Sequence, residues 1–116
     1  MKRLNKIAKR ITASDELTEQ FITECEHSGK LTNDQMFEIC RGFRDGLTIE
    51  EVKVYAKPEF NKQQMKEIRR GFERGLSMEQ VKIFVKPEIN AKQMEKIRLD
   101  FQEGLTIEEV KEKYNL

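Results

Sequence analysis

The sequence predicts an all-α protein in which three tandem helix-turn-helix units stack as a short solenoid behind an N-terminal helical hairpin cap. The segments 32–60, 61–89 and 90–116 align at a spacing of 29 residues without a gap. Each segment begins with a polar residue typical of helix N-caps, followed three positions later by glutamine. Each also contains a glycine–leucine pair that indicates the end of a first helix. Because 116 residues suffice for about one domain, we expect one compact domain.

The composition limits the kinds of protein that this chain can be. Hydrophobic and charged residues each make up 37%, and 22 basic and 21 acidic residues leave a net charge of +1. Such a balance argues against a dedicated basic or acidic tail. No run approaches the roughly 18 apolar residues of a membrane span, and residues 1–11 lack the apolar stretch of a secretory signal. We therefore expect a cytoplasmic protein with no membrane partner.

The residues that most often carry chemistry are few. Cys25 and Cys40 lack the spacing of zinc ligands, and free cysteines of this kind are usually small apolar residues on helix faces. Cys25 and His27 would point to nearly opposite sides of a helix, so they cannot act together as nucleophile and base. No glycine-rich phosphate loop or zinc-protease motif occurs. The sequence thus predicts no metal site, no cofactor and no catalytic residue, and hence a protein that is not an enzyme.

Residues 1–31 lie outside the repeat and predict a helical hairpin. Apolar residues at positions 4, 7, 8 and 11 have helical spacing, which indicates an amphipathic helix over 2–12. An acidic helix follows, opened by Ser14, Asp15 and Glu16 and closed by Gly29. The opposite charges favour an antiparallel pair that caps the first unit. The alternative is a basic arm for nucleic acid, an acidic partner or a membrane surface, formed by Lys2, Arg3, Lys6, Lys9 and Arg10.

Each unit predicts two helices. The first, of about twelve residues, follows the N-caps Thr32, Asn61 and Asn90 and ends at Gly46, Gly75 and Gly104. The second, of about eight or nine residues, follows the N-caps Thr48, Ser77 and Thr106 and, in the first two units, ends before Pro58 and Pro87. Isolated helices shorter than ~12–15 residues are marginal in water. The apolar stripes of neighbouring units must therefore pack on one another.

The third unit differs from the others in a way that predicts a C-terminal cap. Gly42 and Gly71 lie inside the first helix, where glycine costs about 1 kcal/mol relative to alanine. We expect close approach of another helix to compensate. The third unit has Asp100 at this position, and it has Glu112 and Lys113 where the other units are apolar. A terminal repeat has no successor, so a polar outer face is expected.

Of the three units, the middle one is the only one with a net positive charge. Residues 61–89 sum to +3, whereas 32–60 sum to −2 and 90–116 to −1. Basic residues four apart lie on one ridge of a helix. One interpretation is a solvated face balanced by Glu67 and Glu73. The other is a binding ridge for phosphate or carboxylate groups, with the candidate residues Lys62, Lys66, Arg69, Arg70 and Arg74.

Two functional hypotheses follow from this pattern. The favoured one is a non-catalytic protein-interaction module, because outward positions such as Phe37, Lys66 and Glu95 differ between units. Phe37 is either a contact anchor or, as we expect, packed under the N-terminal hairpin. The alternative is a helix-turn-helix that binds nucleic acid through residues 46–70. Lys53 argues against it, because that motif usually has a small residue there. The sequence does not specify an oligomeric state.

The units resemble short helical repeats with the pattern QMxxIRxGxxxGLxxEQVxxYAxPxF, which occur in small proteins of Firmicutes bacteria and their phages and mobile elements. The resemblance covers residues 32–116. In the middle unit it is carried by Gln64, Met65, Ile68, Arg69, Gly71, Gly75, Leu76, Glu79, Gln80, Val81 and Pro87. It implies a small accessory protein without catalytic residues, such as a phage or mobile-element inhibitor or adaptor of anti-defence type that binds a host protein complex.

Overall fold

A computed structural model describes residues 16–116, which form seven helices and no strand. The first helix, α1, covers residues 16–28 of this part. The others are α2 (Asn33–Arg44), α3 (Ile49–Tyr55), α4 (Lys62–Glu73), α5 (Met78–Phe84), α6 (Ala91–Gln102) and α7 (Ile107–Tyr114). The prediction of an all-α protein is therefore confirmed over this range. None of these helices combines the length and the apolar character needed to cross a membrane. The helix predicted over 2–12 lies outside the described residues.

Reciprocal capping boxes begin five of the six helices α2 to α7. In each, the N-cap side chain accepts a hydrogen bond from the N–H of the third helical residue, whose own side chain accepts one from the N-cap N–H. The N-caps are the predicted ones, Thr32, Thr48, Asn61, Ser77 and Thr106. At α6 only half of the box forms within the described residues, where Asn90 Oδ1 accepts from Gln93 N at 2.8 Å.

The predicted helix ends are confirmed by backbone conformation. Gly46, Gly75 and Gly104 have φ of 99°, 92° and 104°, which side chains disfavour. The first helices have 12 residues each, as expected. The second helices have 7, 7 and 8 residues, so the predicted length of eight or nine was too long for α3 and α5. The reason is that proline disfavours helical backbone at the preceding residue, and Ala56 already leaves the helix with ψ of 64°.

Successive helix pairs contact one another in the same way. The helix α4 lies between α2 and α6 and contacts both. The short helices fill the spaces between them, because α3 contacts α2 and α4 while α5 contacts α4 and α6. Fully buried side chains recur at matching positions of the three units, at Ile39, Ile68, Ile97, Val52, Val81 and Val110. The helix α1 adds Phe21, whose ring meets that of Phe43 edge-on at 6.0 Å.

The glycines inside the first helices allow an aromatic side chain to approach the backbone. A Cβ at position 42 would overlap the hydroxyl of Tyr55, which donates a hydrogen bond to the carbonyl oxygen of Glu38 at 2.7 Å. At Gly71 the space is less tight, since a Cβ there would lie 3.3 Å from Phe84 Cζ. The expected close approach is therefore confirmed, and the following helix of the same unit supplies it.

The third unit replaces this aromatic contact by a polar one. Asp100 Oδ2 lies 3.0 Å from Lys113 Nζ and accepts a hydrogen bond from the Tyr114 hydroxyl at 2.5 Å. The Tyr114 hydroxyl and, to a lesser extent, the ammonium of Lys113 lower the pKa of the Asp100 carboxyl. The more polar character predicted for the third unit is therefore present at Asp100 and Lys113.

A side-chain amide joins the start of each of the first two units to its end. Gln35 Nε2 donates to the carbonyl oxygens of Pro58 and Phe60 at 3.2 and 2.6 Å, and Gln64 Nε2 donates to those of Pro87 and Ile89 at 3.0 and 2.8 Å. Phe60 and Ile89 directly precede the next N-caps, Asn61 and Asn90. The side chain of Gln93 makes no such contact within the described residues, and it does not complete the capping box of α6.

The substitution Gln64→Ala should therefore destabilise the protein more than Gln93→Ala. In the first variant the buried Ile89 carbonyl loses its donor, and an unsatisfied buried group costs about 1–3 kcal/mol. In the second no such carbonyl is affected, and we expect a change below about 1 kcal/mol. Urea unfolding followed by circular dichroism measures both values. Equal losses for the two variants would contradict the proposed role of the amide.

The substitution Gly42→Ala should destabilise the protein by about 1–3 kcal/mol, although alanine is the better helix former. The added methyl group displaces the Tyr55 hydroxyl. The double variant Gly42→Ala/Tyr55→Phe should regain part of this loss, because the second unit already combines a glycine with phenylalanine at these positions. The four free energies of unfolding form a double-mutant cycle. Additive effects would show that the two side chains do not compete for space.

Candidate binding surface

The predicted ridge borders a groove between α2 and α4. The groove encloses about 380 Å³. Its α4 side carries four basic residues at successive i,i+4 positions, which are Lys62, Lys66, Arg70 and Arg74. Its α2 side carries Phe37 and Arg41. The structure thus brings four of the five candidate ridge residues together and adds two residues of the preceding unit that the sequence pattern did not group with them.

The fifth candidate, Arg69, forms the floor of the groove and not its exposed edge. It is 4% exposed. Its Nε donates to Glu38 Oε1 at 2.9 Å, and its Nη1 donates to Glu73 Oε2 at 2.9 Å. Burial by itself would lower the pKa of Arg69, but the carboxylates of Glu73 and Glu38 more than offset this, so the pKa is raised. Its assignment to the exposed ridge is corrected accordingly, because the side chain is buried and its Nε and Nη1 donate to carboxylates of the protein itself.

The Arg69–Glu38 pair belongs to a recurring contact between units. Arg98 occupies the equivalent position in the third unit, and its Nε donates to Glu67 Oε1 at 3.1 Å. The first unit has Cys40 at the arginine position, and the third has Lys96 at the glutamate position. Each buried arginine therefore pairs with the glutamate of the preceding unit, and both ends of the series carry residues that cannot extend it.

The remaining basic residues of the groove keep an excess of positive charge. Six basic and two acidic residues line it, and both acids, Glu38 and Glu73, bind Arg69. Arg70 reaches Glu67 at 3.4 Å, and Arg41 pairs with Asp45 at 3.0 Å. Within residues 16–116, no carboxylate lies within 4.0 Å of Lys62, Lys66 or Arg74. Since Glu67 and Glu73 bind structural arginines, this favours the interpretation as a binding ridge.

The aromatic side chain of Phe37 lies at the surface beside this charge. It is 50% exposed, and the Nζ of Lys62 is 5.9 Å from its ring centroid, within range of a cation–π contact. The hairpin under which we expected this side chain to pack includes residues 1–15, which lie outside the described part of the chain, so that expectation stays a prediction. Phe37 directly follows the partly buried Met36 on α2, and one residue step turns the side chain by about 100° around the helix, away from the stripe of Met36 and Ile39.

The cysteines do not add a reactive site to this surface. Cys25 packs against the core and Cys40 is exposed. Burial, together with nearby Glu24, raises the pKa of the Cys25 thiol, and burial together with Glu26 raises that of Cys40. A raised pKa lowers the fraction of reactive thiolate. In the described part of the chain, residues able to ligate a metal do not gather in groups of three or more. The candidate basic arm, Lys2 to Arg10, lies outside it.

Comparison of the chain with protein-family models, curated proteins and solved structures finds no match.

The substitution Arg69→Leu should cost about 3–5 kcal/mol, because it leaves the carboxylate of Glu38, itself 2% exposed, buried without its partner. The matched change Arg70→Leu removes a longer contact of a partly exposed arginine and leaves Glu67 paired with Arg98, so it should cost less than about 1 kcal/mol. Urea unfolding compares the two. The double variant Arg69→Leu/Glu38→Leu should regain much of the loss, since no unpaired charge remains. A small effect of Arg69→Leu would instead place this arginine among the binding residues.

Proposed function

We propose that the protein is a non-catalytic module that binds another protein through the groove between α2 and α4. In this proposal the three helix pairs act as a short solenoid, capped at its N-terminus by a hairpin of residues 1–31. The recurring contacts of α2 with α4 and of α4 with α6 support the solenoid. Such an array presents variable side chains on a constant scaffold, which suits recognition of a protein surface.

The observation that carries the proposal is the division of charge in the middle unit. Its buried charges, Glu67 and Arg69, hold neighbouring units together. The half-buried Lys62 and Lys66 and the exposed Arg74 have no carboxylate partner among the described residues. The like charges of such a row repel one another, and this repulsion destabilises the folded protein. A partner of opposite charge would relieve that repulsion, so the row supports a role in binding.

The resemblance of the units to small proteins of Firmicutes bacteria, their phages and mobile elements extends the proposal. It favours an inhibitor or adaptor of anti-defence type that binds a host protein complex in the cytoplasm. Such a protein acts by occupying a surface, so it needs a stable interface and no catalytic group. The raised pKa values of both thiols support this, because they leave little thiolate for nucleophilic chemistry.

Affinity capture of the full-length protein in its native host, with nuclease present and absent, tests the proposal. We expect a protein partner that persists after nuclease treatment. The variant Lys66→Glu/Arg74→Glu should recover about tenfold less of it, since both cations face the groove. The two changes match Glu95 and Glu103 of the third unit, so the helix tolerates them. Recovery only through nucleic acid would instead favour a helix-turn-helix-like function.

A further inference from the structure

The groove between α2 and α4 has one basic side and one side with an exposed aromatic ring. At its floor, the charge of Arg69 is paired with carboxylates. On one side the four cations of α4 repeat every four residues, which is a rise of about 6 Å along the helix. On the other side Phe37 offers an apolar surface next to Arg41. On the floor, Arg69 is already bound to Glu38 and Glu73. An occupant therefore has to supply negative charge at one edge and an apolar side chain at the other.

We propose that this groove binds an acidic helical segment of a partner protein, with carboxylates on Lys62, Lys66 and Arg74 and an apolar side chain on Phe37. The inference rests on the proposed protein-binding function and names the chemistry of the partner. A helix lying along α4 with carboxylates at i,i+4 repeats them at the same interval of about 6 Å. Binding of a helix in a groove is a common recognition mode, in which a few side chains on one face of the helix contact the groove.

The energetic roles of the two edges differ. Exposed cations steer association and select partners by charge, and they contribute to the association rate more than to the lifetime of the complex. The apolar contact at Phe37 excludes water. It acts as an anchor, because a few buried residues supply most of the binding energy of a protein interface. In the free protein, the Phe37 ring is already covered on one side by the ammonium of Lys62. An apolar residue of the partner can extend this contact while its carboxylate meets the ammonium.

An acidic protein segment fits these observations better than nucleic acid does. The chain as a whole has a net charge of only +1, whereas nucleic-acid-binding domains are usually strongly basic. Single-stranded nucleic acids are held on several aromatic side chains that stack successive bases. Within residues 16–116, Phe37 is the one exposed aromatic side chain. One stacking position offers too little surface for that mode, but it suffices as an apolar anchor.

A direct binding experiment tests the inference with a defined probe. The probe is a fluorescein-labelled synthetic helix of about 18 residues (~27 Å), with glutamate at every fourth position and one leucine on the same face. A second peptide of identical composition has its glutamates distributed around the helix. An oligothymidylate of matched charge represents nucleic acid. Each probe is titrated with the full-length protein, and fluorescence anisotropy gives the dissociation constant.

The variants separate the groove from general attraction to positive charge. We expect Lys66→Glu/Arg74→Glu and Phe37→Ala each to weaken binding of the patterned peptide by about tenfold. The control Lys92→Glu/Lys96→Glu makes the same change of charge at two exposed positions of α6, where other units carry Asp34 and Glu67 or Glu38. It should change the affinity by less than about twofold. Circular dichroism confirms that every variant is folded.

Three results would overturn the inference. They are equal affinity of the groove variants and the wild type for the patterned peptide, equal affinity of the wild type for both peptides, and tighter groove-dependent binding of oligothymidylate. The last would favour nucleic acid. If the peptide is not bound but the wild type captures a cellular protein of which Lys66→Glu/Arg74→Glu recovers about tenfold less, only the acidic-helix inference fails. If peptide binding depends on the groove but no cellular protein is captured, only the proposed function fails.

Discussion

A helix of seven residues has little stability of its own in water, and this constraint explains most of the architecture. Forming its first turn fixes several backbone angles for a single hydrogen bond, so α3 and α5 depend on what surrounds them. The capping boxes satisfy their first N–H groups locally. The buried side chains of Val52 and Val81 then attach each short helix to the longer helices on either side. Removing a neighbour would expose the apolar face that holds the helix in place.

Apolar packing alone would tolerate small shifts between successive helix pairs, and the buried polar contacts restrict them. The guanidinium of Arg69 meets Glu38, and that of Arg98 meets Glu67, only at the observed register. A shift of either helix would leave a charge buried and unpaired, which costs several kcal/mol. The net gain of such a pair is small because both groups lose water. Its effect here is therefore to exclude other registers, and the glutamine amides act in the same way on the connecting segments.

The helix boundaries could be predicted from the sequence because residues close to each boundary determine it. Capping residues, glycines with positive φ and the prolines after the second helices all act within a few positions of themselves, so their spacing predicts helix types and most boundaries. The contacts of Arg69 and Gln64 join residues 31 and 25 positions apart, and no local pattern reports them. A signal for Arg69 was present, since glutamate occupies one position in the first two units while arginine occupies another in the last two. The first unit lacks the arginine and the third lacks the glutamate, which is the pattern expected if each arginine pairs with the glutamate of the preceding unit.

The same comparison of units shows how one scaffold can carry a specific surface. Positions 39, 68 and 97 are all isoleucine and fully buried, so the equivalent core position of each unit holds the same side chain. Positions 37, 66 and 95 are phenylalanine, lysine and glutamate, and none of them is fully buried. The cation at Arg74 likewise replaces Asp45 and Glu103. Because the exposed positions bear little of the folding energy, they can change without loss of the fold. Neither packing nor capping requires a row of cations confined to one unit and bordered by an exposed aromatic ring, and this supports the proposed role of the row in recognition.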